Sequence, residues 1–390
     1  TVCFSAALNA ADHPAIGGTQ LSDVYCAHRR ADGWTTEWVS QPRGNPFVPN
    51  AYQGAVMRWV SDDGRRKIFT TDFKGLVPER PVPGDTDTGT DGYLREGDRT
   101  VWLTPVGGGD VSLSRQPAAV SADLTHVVFE RGTAPGLNPP TEVMEWTPQG
   151  VRRVSVSATG QPVTGSLNRD GTGEYGPGNH AVRNTISRDG SRIFFHSNET
   201  LGTPGEGPGE DVYVRENGTT TRLVSVRPDT SATMSVTFVG ASADGDIAYL
   251  TTTGPLTSDP ATGTRIYRRT LSTGTTELVQ DRITRVLDVS DDGSTVVFIG
   301  TNLVSASDGV SLYVNRNGTT TRLSPLSATE SNTFAAGDTV GASQHVQRAL
   351  RISRDGSVIV FRAEADTPGV FGVYRWTPGG GTELISARRD

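Results

Sequence analysis

The chain has 390 residues, a net charge of −7, and 20% charged against 34% hydrophobic residues. The acidic balance argues against a broadly electrostatic nucleic-acid binder, and no apolar run is long enough for a membrane-spanning helix. With 46 glycines, 23 prolines and no sustained helical periodicity, the composition points to short strands joined by turns.

In chain order, residues 1–41 read as strands: "TVCFSAALNAADHP" and then "DVYCAHRRADGWTTEWVS". Next comes "VSDDGRRKIF" (60–69), the first copy of a Ser-x-Asp-Gly frame that runs into a β-branched or aromatic stretch. Further copies are "VSADLTHVVF" (120–129), "ISRDGSRIFF" (186–195), "ASADGDIAY" (241–249), "VSDDGSTVVF" (289–298) and "ISRDGSVIVF" (352–361). Each copy is followed by a second signature such as "DVYVRENGTTTRLVS" or "SLYVNRNGTTTRLS". Every unit therefore reads strand, turn, strand, long gap, strand, turn, strand. Repeats of this kind predict blades of a β-propeller, each unable to bury its apolar faces without a neighbour.

The expected fold is all-β: a single domain over residues 1–390, a seven-bladed β-propeller of four-stranded antiparallel blades. The blades span residues 1–41 (partial), 55–104, 117–155, 182–225, 236–279, 284–324 and 349–387. Asp-Gly and Asn-Gly predict tight two-residue hairpins that use positive φ. Leu124 replaces the glycine of the second copy. An αL leucine is costly, so a different turn is expected there. Thr1 falls inside a blade, so the turn that precedes that blade's strands elsewhere is expected upstream, with any leader removed. The first blade then lacks an innermost strand, and its open edge invites a strand from upstream or from another chain.

On these motifs the whole chain resembles the TolB-type propeller repeat of secreted bacterial proteins. The resemblance implies the fold and a secreted, extracellular or periplasmic location. It implies function only broadly, because such propellers host binding proteins, protease gating domains and polysaccharide lyases. In a chain of secreted type, Cys3 and Cys26 on neighbouring strands read as a disulfide; two buried thiols are the other reading. No Gly-x-Ser-x-Gly, His-Glu-x-x-His or lysine-bearing phosphate loop occurs.

Function usually resides on loops held by a rigid frame, so the expected working face carries the long connections 74–90, 156–182, 200–210 and 325–347. Two of these lead into His-x-x-Arg: His180 with Arg183, and His345 with Arg348. Arg58, Arg285 and Arg351 stand near the entries of other innermost strands. Lysine occurs only at Lys67 and Lys74, so almost every cation is a guanidinium. Guanidinium suits bidentate anion recognition, although a G+C-rich coding sequence also produces arginine. The plain alternative has these side chains bonding backbone carbonyls and bridging blades. With Tyr175, the His and Arg set could abstract a proton beside a uronate carboxyl, as the resemblance to lyase propellers allows.

Asp85, Asp87 and Asp91, with Glu96, fit a calcium-loop spacing without its central glycine; the alternative is a solvated loop. No other cofactor is expected. Asn198, Asn217 and Asn317 each begin a glycosylation pattern, the last two inside hairpin turns. The reading that emerges is a secreted or cell-surface binding propeller that recognises a protein segment or an anionic glycan. Two alternatives stand beside it: a uronate-cleaving polysaccharide lyase, and a structural subunit completed by strand donation at the first blade.

Overall fold

The computed structural model describes residues 2–8, 21–40, 55–71, 91–103, 119–131, 142–167, 183–260, 262–325, 350–364 and 371–386. Among these residues there is no helix. The strands form seven antiparallel sheets in sequence order.

Three sheets lie in a compact unit spanning residues 1–154. The first sheet is β1 (Val2–Leu8), β2 (Leu21–Arg30) and β3 (Gly33–Trp38). The second is β4 (Ala55–Val60), β5 (Arg66–Thr71), β6 (Asp91–Glu96) and β7 (Arg99–Trp102). The third is β8 (Ala119–Val120), β9 (Val127–Arg131), β10 (Glu142–Thr147) and β11 (Gly150–Arg153).

Four more sheets lie in a second unit spanning residues 155–390. The fourth is β12 (Arg192–Ser197), β13 (Asp211–Glu216) and β14 (Thr220–Leu223), with Ile186 bridging to Ile193 where an innermost strand would run. The fifth is β15 (Thr237–Ala241), β16 (Ile247–Thr252), β17 (Arg265–Thr270) and β18 (Thr275–Gln280). The sixth is β19 (Ile283–Val289), β20 (Thr295–Thr301), β21 (Val310–Arg316) and β22 (Thr319–Pro325). The seventh is β23 (Leu350–Ile352), β24 (Ile359–Glu364), β25 (Phe371–Thr377) and β26 (Gly381–Leu384). These sheets are the blades of a seven-bladed β-propeller, the first and fourth with three strands among the described residues.

The Ser-x-Asp-Gly frame explains itself in hydrogen bonds. In all six copies the serine hydroxyl donates to the aspartate Oδ1 at 2.5–2.8 Å. The same Oδ1 accepts the backbone N–H two residues on, as from Arg65 at 3.0 Å and Ser357 at 3.1 Å. The serine Oγ accepts the N–H five residues on, from Arg66, His126, Arg192, Ile247, Thr295 and Val358. The Gly N–H donates back to the serine carbonyl, at 2.8 Å for Gly64. Only the glycine has positive φ, near 70° at Gly64. These turns are thus wider than the expected two-residue hairpin, with one αL residue closing a type I turn. Asn217-Gly218 and Asn317-Gly318 do have positive φ at both residues.

Leu124 corrects the expectation of a different turn. It takes φ 57° and donates its N–H to the Ser121 carbonyl at 3.0 Å, like the glycines. Its side chain is buried with Ile68, Leu94, Phe129 and Trp146 between the second and third blades. An αL leucine costs about 1–2 kcal/mol, whereas burying a leucine returns about 1.5–3 kcal/mol. Burial therefore outweighs the backbone strain.

Neighbouring turns are stitched together. Within the first unit, the Asp62 N–H donates to the Ala122 carbonyl at 3.3 Å. Within the second, Arg188 donates to Ala243, Ala243 to Asp291, and Asp292 to Arg354, at 2.6–3.1 Å. Arg66, Arg192 and Arg316 each extend Nη1 to the carbonyl of the next blade's motif aspartate, Asp123, Asp244 and Asp355, all at 2.9 Å. Apolar clusters fill the gaps between successive blades of each unit, as with Val212, Val214, Phe238 and Leu250 between the fourth and fifth. Stacked Phe–Tyr pairs recur across the second and third strands: Phe69–Tyr93, Phe195–Tyr213, Phe298–Tyr313 and Phe361–Tyr374.

Cys3 and Cys26 stand directly opposite on β1 and β2, with Cα atoms 4.0 Å apart, and form a disulfide. A separation this short belongs to the narrow type of antiparallel pair.

Candidate functional site

The arginines expected to form a collar occupy four different places along the repeat. Arg58 stands three residues before its motif serine, Arg183 four, Arg285 five and Arg351 two. Strand side chains alternate between faces, so these four cannot all point the same way. Arg351 lies exposed on β23 and donates to the Leu350 carbonyl at 2.9 Å. Arg285, half-buried on β19, is in register with Ile299.

Arg183 is held by carboxylates. Its Nε and Nη2 grip Asp288 of β19 at 3.0 and 3.1 Å, and its Nη1 reaches Asp291 at 3.0 Å. Asp288 is buried, and the two acids raise the Arg183 pKa against the opposing effect of burial. The chain passes close by to make this possible. Arg183 bridges in parallel to Gly240, and the Ala241 N–H donates to the Arg183 carbonyl at 3.0 Å. Gly240 has φ 146°, and a Cβ there would meet Val289 Cγ2 at 2.6 Å. Glycine is required because three innermost segments converge on that point. Asn184 Nδ2 donates to the Ala241 carbonyl at 2.8 Å, and Arg354 Nε lies 3.7 Å from Asp291 Oδ2. This network ties the fourth to seventh blades and leaves Arg183 fully engaged.

Arg58 is different. The β4–β5 register shifts between Met57 and Trp59, so Arg58 is the bulged residue of its strand. Bulges re-aim side chains and are common beside active sites. The same position in the fifth and sixth blades also bulges but carries Val239 and Leu287. Arg58 is half-buried, and its Nε donates to Thr70 Oγ1 at 3.1 Å. Burial alone lowers its pKa, and among the described residues no carboxylate pairs with it. Thr70 lies at the end of β5 that leads into the long connection preceding β6.

His180, His345, Tyr175, Arg348, Asp85 and Asp87 lie outside the described residues. Asp91 opens β6 opposite Thr71. Among the described residues, no group of three or more His, Cys, Asp or Glu side chains could hold a metal ion. The described parts of the long connections are closed by their own acids. Glu206 accepts the N–H groups of Leu201, Gly202 and Thr203 at 3.1 Å. Asp308 accepts from Val304, Ser305 and the Tyr313 hydroxyl at 2.9–3.2 Å. Sequence reasoning missed Asp288 and Asp291 as the partners of Arg183. The available signal was their placement on the innermost strand and turn two blades further on.

No protein-family model matches this sequence, and no curated protein matches it. Solved structures do. Dipeptidyl peptidase 4 from Porphyromonas gingivalis is similar with a TM-score of 0.50 and 12% identity, over 93% of this chain and 51% of that one. TolB from Acinetobacter baumannii is similar with a TM-score of 0.35 and 12% identity, over 76% of this chain and 57% of that one. The β-propeller domain of the Trilobed protease from Pyrococcus furiosus is similar with a TM-score of 0.42 and 10% identity, over 86% of each chain. The chain thus spans little more than half the length of the first two. It is a β-propeller, and its resemblance to TolB and to these peptidase propellers is one of fold.

Proposed function

We propose that this chain is a binding propeller that takes an oxyanion, a carboxylate in the first instance, at Arg58. One observation carries the reading: a half-buried guanidinium, bulged from an innermost strand, with no acidic partner among the described residues. A desolvated charge is costly unless paired, and a ligand carboxylate matches the guanidinium fork. The partner is an acidic protein segment or an anionic glycan, which share that chemistry. The Cys3–Cys26 disulfide supports work in an oxidising compartment outside the cytosol. The test is calorimetric titration with a polyuronate, a sulfated glycan, an acidic peptide and a neutral glycan. An anionic member should bind, and Arg58→Gln should weaken it by roughly 10-fold or more, while Arg351→Gln should not. Equal affinity for Arg58→Gln and the parent overturns the reading. Absorbance from a new double bond during the polyuronate arm would point instead to the lyase alternative.

A further inference from the structure

Six residues after each motif serine the repeat places a core side chain. Val127, Ile193, Ala248, Val296 and Ile359 occupy that position in the third to seventh blades, and all are buried. In the second blade the residue is Lys67, one of only two lysines in the chain and 3% exposed. It is also directly opposite Arg95, another buried cation. Lys67 points toward the first blade, where its Nζ donates to Glu37 Oε2 at 2.7 Å. His28 Nε2 lies 2.9 Å from the same oxygen. Around this group the interface is apolar or disulfide-bonded: Val24, Cys26, Phe69 and Tyr93, with Cys3 and Met57 alongside. The fifth and seventh blades carry acids, Glu277 and Glu383, where the first has Glu37, yet both are exposed and the sixth blade has Val296 in place of Lys67. An acid there does not by itself require a lysine.

We propose that Lys67 and Glu37, with His28, form a pairing key that admits onto this face of the second blade only a sheet with an acid at the Glu37 position. In a chain of near-identical sheets, apolar faces are interchangeable, and a buried charge pair can restore the distinction. A blade with no acid at that position, as in the second, third, fourth and sixth (Val101, Arg152, Arg222 and Thr321), would bury Lys67 without a counter-charge from it, at roughly 100-fold or more in the pairing equilibrium. Heterologous docking between copies, which does not close and runs on into aggregates, is disfavoured in the same way.

The experiment compares Lys67→Val, Glu37→Val, the double variant and the charge-swapped Lys67→Glu/Glu37→Lys chain. Each full-length protein is unfolded in denaturant and then refolded across a range of concentrations. Each single substitution should raise the unfolding constant roughly 100-fold, and the double valine variant should recover that loss. Its refolding, however, should give mixed oligomers and a lower monomer yield, whereas the charge-swapped chain should refold to one species. The proposal is overturned if the double valine variant refolds as cleanly as the parent, or if the two single effects simply add.

Discussion

Arg58 and Arg183 both come from the innermost segments of the same repeat, and their fates are opposite. Arg183, in the second unit, is clasped by Asp288 and Asp291 across the converging strands of three blades. Arg58, in the first, is the bulged residue of its strand and, among the described residues, bonds a threonine hydroxyl and pairs with no carboxylate. The difference teaches that an arginine near a strand entry says little until its carboxylates are located. Other described arginines hold the frame together: Arg66, Arg192 and Arg316 cap turn carbonyls, and Arg215 bonds the strand hydroxyl of Thr221 at 2.9 Å.

The contrast can be broken at several points. The largest effect is expected from Arg183→Gln, which removes the two-pronged guanidinium contact from the buried Asp288. Stability should fall by about 3 kcal/mol in denaturant unfolding, the order seen for broken buried pairs. Gly240→Ala should follow, at about 1–3 kcal/mol, because its Cβ collides with Val289; an unchanged unfolding midpoint would mean that the strands do not converge there. Leu124→Gly should cost about 1 kcal/mol net, since relief of αL strain offsets part of the lost burial. Arg58→Gln should leave stability unchanged or slightly raised, and should act on ligand affinity alone.

Acid provides a separate handle. Hydrogen bonds from Ser353 and Ser357 hold the Asp355 pKa down at about 2. At Asp123, Asp189, Asp244 and Asp292, partial burial works upward but is outweighed by bonds from the neighbouring hydroxyls and N–H groups, so these also sit below the ordinary value. Depressed carboxylates bind fewer protons in the native state than in the unfolded one. Their contribution is therefore complete above about pH 4 and lost as pH falls toward 2. Thermal unfolding followed from pH 5 to pH 2 should show the midpoint fall over that window. Replacing motif aspartates by asparagine should flatten the curve.

The fold was legible because the repeat is written in turn chemistry. Six copies of one hydrogen-bonded turn at blade spacing leave few alternatives. Leu124 was misleading because its compensation is tertiary: nothing local shows that the side chain lands between Ile68 and Trp146. The site was less legible for the same reason. Arg183 and Asp288 are far apart in sequence, and a bulge at Arg58 depends on strand register, which single-sequence patterning does not reveal. Lys67 could have been found by aligning the six copies, where it is the one charge in a column of core residues. The long connections carrying His180, His345 and Tyr175 share little within the chain beyond the His-x-x-Arg of the two histidines.

The most direct measurement follows the Nε–Hε resonances of Arg58 and Arg183 together in one NMR titration with sulfate as a simple oxyanion. The account predicts that the Arg58 signal moves and saturates while the Arg183 signal stays fixed by its two carboxylates. A shift at Arg183, or none at Arg58, would contradict it.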